Sequence, residues 1–334
     1  MNNLFSYSPK ELTTDGFLTW IIYEISGNKK DLVGFFKRLG LCNESAVEIS
    51  KIDISRQEEN TDLILRYEID SVPYQALFEN KTYSTIDSNQ LCKYKNKFPD
   101  LNYYKYLKLA RINYYEKKEA KANGYDVLSS FDLYEALDSL TLDSEILTQY
   151  KKFLIDSFVA PLNEIEHEML SGNKFELFRK RQAQQYFIDI LYQEIDELND
   201  SIYFKSRSNV GGGAWTQLDI SHKVKIYGEK TEYLFWRIDK KSGEYYLRLN
   251  QYANISKDYK NVKKQILKKL REVIEPLFTH YGLSTSSPSN RGVKESEICI
   301  IYFKDNDLCN IAKVLADLTK DVIKQYQSVE HSII

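Results

Sequence analysis

The chain has 334 residues, enough for two domains of ordinary size and for a large core that needs no covalent staples. With 43% hydrophobic and 28% charged residues it has the composition of a folded globular protein. Its formal net charge of −2 excludes a general basic surface but not a nucleic-acid partner, because a local basic groove is enough to collect phosphates.

Along the chain, residues 9–25 open with Pro9, then repeat Leu12, Phe17, Ile21 and Ile25 at helical spacing. A second helix is expected from Lys30 to Leu41, after the Gly27-Asn28 break. Three strand-like runs follow, Ala46–Ile52, Asp62–Tyr67 and Gln75–Thr82. The third is apolar until its end, as a central strand covered on both faces would be. Glu68 to Pro73 is turn-forming, which makes the second and third runs a hairpin. Residues 85–97 read as an amphipathic helix, Asn102–Ala110 as a fourth strand, and the charged stretch 111–125 as a connection. From about 130 to 198 the pattern is helical. Residues 201–250 change to short tyrosine-rich strands, an antiparallel meander with turns at Gly211-Gly-Gly213, Gly228 and Lys241-Ser-Gly243. A lysine-rich helix near 257–280, a strand at 297–303 and a helix near 306–328 complete the chain. The expectation is a mixed α/β protein: a core over residues 1–128, a helical extension over 129–200 and an α+β domain over 201–334.

No apolar run approaches the roughly 20 residues of a spanning helix, and the first residues lack the pattern of a signal peptide. The cysteines Cys42, Cys92, Cys299 and Cys309 are scattered, with no C-x-x-C pair, and read as reduced thiols. A cytoplasmic protein with no membrane association is the expectation.

The chemistry concentrates in two runs. Thr61-Asp62 opens one, and Gln75-Ala-Leu-Phe-Glu79-Asn-Lys81 closes the other. Side chains alternate along a strand, so Glu79 and Lys81 share a face about 7 Å apart. If Asp62 begins the neighbouring strand, its carboxylate converges on that face. Two carboxylates are a minimal site for Mg²⁺ (or Mn²⁺), which prefers oxygen ligands and keeps several waters. Such an ion polarises a phosphodiester oxygen and activates water, and an adjacent lysine can stabilise charge on the phosphate. Against this, E-x-K is a common surface pair, and aspartates at strand edges often bond turn amides. The apolar lead-in Leu77-Phe78 favours function, because a buried charge is costly unless paired or metal-bound.

Asp62, the Glu79-Asn-Lys81 triplet and the Gln90-Leu-Cys-Lys-Tyr94 run on the following helix resemble the PD-(D/E)XK nuclease superfamily. That resemblance implies a restriction-endonuclease-like αβββαβ core over roughly residues 8–130. It implies metal ligands at Asp62 and Glu79, the motif lysine at Lys81, and support from Gln90 and Tyr94. An acidic residue on an early helix is matched best by Glu11, with Asp15 one turn later. The Tyr106-Leu107-Lys108 strand also fits, whereas Thr61 stands where the family often has proline. The resemblance further implies hydrolysis of nucleic acid, DNA before RNA, in a setting of restriction or phage defence.

Other candidates are open at this stage. Glu48 is either an accessory acid or an exposed strand position. Gln90 and Tyr94 lie one turn apart, facing either the sheet or the reacting phosphate. Gly211-Gly-Gly213 is a phosphate cradle or a flexible loop. Lys257, Lys260 and Lys264 contact a nucleic-acid backbone or merely solvate an amphipathic helix. The histidines are isolated, and no Walker A or G-x-S-x-G pattern occurs. The reading is a Mg²⁺-dependent nuclease whose C-terminal region grips substrate, dimerises or binds a protein partner. The alternative is a catalytically silent module of the same fold that binds nucleic acid or protein.

Overall fold

The computed structural model describes residues 3–7, 11–195, 203–208, 213–221, 224–227, 230–253, 260–285 and 295–331. The chain divides into two units, Met1–Asn163 and Glu164–Ile334.

In the first unit, helices α1 (Glu11–Ile25) and α2 (Lys29–Arg38) precede strands β1 (Ile49–Arg56), β2 (Leu63–Ile69) and β3 (Val72–Lys81). Then come α3 (Ser88–Lys97), β4 (Tyr103–Lys108), α4 (Tyr114–Ala122), β5 (Asp126–Ser129), α5 (Ser130–Asp138) and α6 (Glu145–Leu154). The five strands form one mixed sheet in the order β1-β2-β3-β4-β5. The β2–β3 hairpin closes at Asp70-Ser71, whose φ values of 48° and 71° give the left-handed pair that a two-residue hairpin needs. From β3 onward the pairing is parallel. Parallel neighbours need crossovers, and α3 and α4 supply them.

Residues 111–125 therefore correct the sequence reading: they hold a helix rather than a bare connection, and a fifth strand follows. The helix starts where the Asn113 side chain accepts from the Glu116 amide and Glu116 accepts from the Asn113 amide, a capping box.

The sheet is covered on both faces. Phe17, Ile21, Phe35, Phe36, Leu133 and Tyr150 pack with Leu63, Leu65, Ala76 and Phe78 on one side. Leu91, Tyr94 and Ala120 pack with Leu77, Tyr104 and Tyr106 on the other. This assigns the alternation along β3: even-numbered residues face α1, odd-numbered residues face α3 and α4. The helix α1 is fixed by Phe17 stacked on Tyr150 of α6, ring centroids 3.6 Å apart.

The segment 129–200 is not a separate extension. Its first helices, α5 and α6, complete the first core. The boundary between units falls inside α7 (Ala160–Glu168), and α8 (Arg181–Ile195) belongs to the second unit. That unit continues with β6 (Tyr203–Ser208), β7 (Ala214–Asp219), β8 (Val224–Tyr227), β9 (Lys230–Lys241) and β10 (Glu244–Ala253). It ends with α9 (Lys260–His280), β11 (Glu295–Tyr302) and α10 (Leu308–His331). Its sheet is antiparallel, in the order β11-β10-β9-β7-β6 with β8 beside β9. The β9–β10 turn falls at Ser242-Gly243, as the sequence predicts. The helices share one face, where Trp236 donates to Thr319 of α10 at 2.9 Å and touches Phe278 of α9, and Gln184 of α8 meets Thr216. The opposite face carries an ionic cluster of Arg237, Arg248, Asp239, Glu295 and Glu297. Among the described residues no helix is long and apolar enough to cross a membrane.

Candidate active site

In the antiparallel β2–β3 pair, Leu63 stands opposite Phe78. Extending that register by one residue sets Asp62 opposite Glu79. Leu63 and Leu65 face α1, so Asp62 turns to the α3 side, where Glu79 and Lys81 also point. The three predicted residues meet at the end of β3. The carboxyl groups of Asp62 and Glu79 lie beside each other, and the Lys81 amine donates to Glu79.

This meeting is electrostatically crowded. Glu79 is fully buried, and burial followed by the neighbouring Asp62 pushes its carboxyl well above the usual range. Asp62 is raised too, first by burial, with a bond from the Asn80 amide at 2.7 Å and the Lys81 charge working against the rise. Burial pulls the Lys81 amine down, but Glu79, Asp62 and Glu11 outweigh it and hold it above its ordinary value. One lysine does not neutralise the anions around it. Glu79 Oε2 is buried with no hydrogen-bond partner among the described residues.

The α1 side adds to the same end of β3. Glu11 accepts from the Thr82 amide at 3.2 Å and from the Ser84 hydroxyl at 2.6 Å, which ties the exit of β3 to the first turn of α1. One turn later, Asp15 is fully buried and accepts from the Asn80 side chain. Burial, with Asp62 and Glu11 adding to it, pushes Asp15 up to about 6 against the Asn80 bond. Asp15 Oδ2, Asn80 Oδ1 and Thr82 Oγ1 are further buried oxygens without partners among the described residues. Asn80 and Thr82 escape the sequence reading because attention falls on the alternating face that carries Glu79 and Lys81. The available signal is that a strand covered on both faces must explain its polar residues on either side.

On α3, Gln90 donates to the Tyr94 hydroxyl at 2.8 Å, and Tyr94 donates to the carbonyl of Asn60. Asn60 lies two residues before Asp62, so this pair anchors the loop that delivers Asp62.

Glu48 is not brought here. Glu48 precedes β1 at the Ile49–Ile69 end of the β1–β2 pair, and Asp62 lies beyond the other end of β2. Seven strand residues separate them, ~23 Å. Glu48 is exposed and pairs weakly with Lys29 at 3.9 Å, so its accessory role is withdrawn. Lys264 is exposed on α9 in the second unit, Lys260 is described only by its backbone, and Lys257 lies outside the described residues, as do Gly211 and Gly212.

The donors at Asp62 and Glu79 are carboxylate oxygens, the ligand type of Mg²⁺ and Mn²⁺. The unpartnered oxygen and the two raised carboxyls mark a place short of positive charge, so the residues fit such an ion. Among the described residues no group of three or more His, Cys, Asp or Glu forms a metal cluster, so two protein carboxylates would leave the remaining positions to water or substrate. Comparison with protein-family models, with curated proteins and with solved structures finds no match for this chain.

Proposed function

We propose that the first unit is a Mg²⁺- or Mn²⁺-dependent nuclease with a restriction-endonuclease-like core, hydrolysing phosphodiester bonds of nucleic acid, DNA before RNA. One observation carries this reading. Asp62, Glu79 and Lys81 meet on one face at the end of a central strand whose preceding residues are buried on both sides.

Asp62 and Glu79 would hold the cation, which when bound would polarise a phosphodiester oxygen and promote attack by water. Lys81 keeps its proton, so it offers a fixed positive donor where negative charge grows on the phosphate. Tyr94 and Gln90 hold the approach to Asp62, and Glu11 holds the chain after Lys81. These supports are hydrogen-bonded within the free protein, so the arrangement is largely set before substrate arrives.

The test is Mg²⁺-dependent degradation of plasmid DNA, linear DNA and RNA by the full chain, compared with Lys81→Ala. Cleavage of at least one substrate, lost in Lys81→Ala and in EDTA, supports the reading. No cleavage of any of the three contradicts it and leaves a binding module of the same architecture.

A further inference from the structure

Asn80 sits between the two motif residues of β3 and has no part in the chemistry described so far. Two of its groups nevertheless reach acidic side chains in different directions. Its backbone N–H donates to Asp62 Oδ2 at 2.7 Å. Its side-chain Nδ2 donates to Asp15 Oδ1 across the opposite face of the sheet. Both Asp15 and Asn80 are essentially inaccessible to solvent. Asp15 cannot drift, because the helix that carries it is clamped by Phe17 against Tyr150 and by Thr14 accepting from the Tyr150 hydroxyl at 3.2 Å.

We propose that Asp15 is a positioning residue for the cation site, acting through Asn80 on Asp62. The bond donated to Asp15 fixes the Asn80 side chain, and with it the rotation of that peptide about the strand axis. The same peptide supplies the N–H that engages one oxygen of Asp62. With Oδ2 committed there, the Asp62 carboxyl is held in one orientation beside Glu79. Asparagine suits the position between Glu79 and Lys81: an aspartate would face Asp15 with like charge, and an alanine would leave Asp15 without its donor. The unpartnered Asp15 Oδ2 and Asn80 Oδ1 mark the contact as a single bond rather than a closed amide–carboxyl pair.

This role rests on the nuclease reading of the same site, so its test measures cation binding rather than cleavage. Mn²⁺ alone is titrated into the full chain, with free ion followed by electron paramagnetic resonance, for wild type, Asp15→Ala, Asn80→Ala and Asp15→Asn. Thermal melts of each variant give the folded fraction. Partners that orient metal ligands typically contribute about 10- to 100-fold in affinity. A loss of about tenfold or more per folded molecule is expected for Asp15→Ala and for Asn80→Ala. Asp15→Asn, which keeps an oxygen for the Asn80 amide, should bind close to wild type. A merely structural role would lower the melting temperature and leave the Mn²⁺ affinity of the folded molecules unchanged. That result, with wild-type binding intact, overturns the positioning role and spares the nuclease reading. Absence of Mn²⁺ binding by wild type overturns both.

Discussion

Two lysine–glutamate pairs lie side by side on one face of the first sheet. Lys81 on β3 stands in register with Lys108 on β4, and each meets a buried glutamate. The Lys108 partner, Glu116, is saturated: one oxygen accepts from Lys108, from the Tyr106 hydroxyl at 3.2 Å and from the Ile86 amide at 3.2 Å, and the other from the Asn113 amide at 3.1 Å. The Lys81 partner, Glu79, has a second acid against it and an oxygen with no partner. Burial and pairing are thus common to both. The distinction is satisfaction: one pair is a closed joint between α4 and the sheet, and the other is an incomplete set of ligands. A buried ion pair alone is weak evidence for function; a buried, like-charged and under-bonded one is stronger.

The sharpest way to break this contrast is to remove each lysine. Lys81→Ala should reduce cleavage by about 10²-fold or more and lower the melt less than Lys108→Met, because Glu79, already raised, takes up a proton when its partner is lost. Lys108→Met strands Glu116 in the core and should cost about 3–5 kcal/mol of stability, seen as a large drop in melting temperature. A Lys81→Ala variant that unfolds as readily as Lys108→Met would erase the distinction. Next in size, Glu79→Gln should stabilise the metal-free protein at pH 8 by on the order of 1–3 kcal/mol, because it removes a buried charge facing Asp62. Glu116→Gln should do the opposite. Denaturant melts in EDTA decide between them.

Acidity sharpens the same comparison. Asp62, Glu79 and Asp15 all have raised carboxyls in the folded state, Asp15 to about 6. A raised folded value means that the native chain binds protons the unfolded chain has released. These groups therefore contribute stability at low pH, which is lost as pH rises from about 4 through the raised values. Divalent cation competes for the same oxygens, so the rise in melting temperature caused by Mn²⁺ should be large at pH 8 and small at pH 5.5. An increment independent of pH contradicts the assignment of ligands. The smallest effect is expected for Tyr94→Phe, about 1 kcal/mol with a few-fold loss of cleavage, since it releases the Asn60 loop and the Gln90 amide but no ligand; melts and initial rates measure both.

Much of this was legible in the sequence, for identifiable reasons. The alternation in Leu77-Phe78-Glu79-Asn80-Lys81 sets Glu79 and Lys81 on one face whatever else the chain does, and the Asp70-Ser71 turn fixes the register that brings Asp62 to them. The first strand begins at Ile49, later than the sequence pattern predicts, because Val47 and Glu48 alternate like a strand while their amides bond the Asp70 carboxylate instead of a neighbouring strand. The charged run 111–125 concealed α4, whose one indispensable charge, Glu116, is buried against a lysine 8 positions earlier that no local pattern links to it. Asp15 and Asn80 were beyond reach as a pair: 65 residues separate them, and only the packing of α1 joins them.

The central claim is that Asp62 and Glu79 share a cation. Anomalous diffraction from crystals of the full chain soaked in Mn²⁺ tests it directly. The expected result is a peak in contact with both carboxyl groups and within reach of Lys81. A well-occupied peak elsewhere, or crystals with no peak between Asp62 and Glu79 at saturating Mn²⁺, would contradict it.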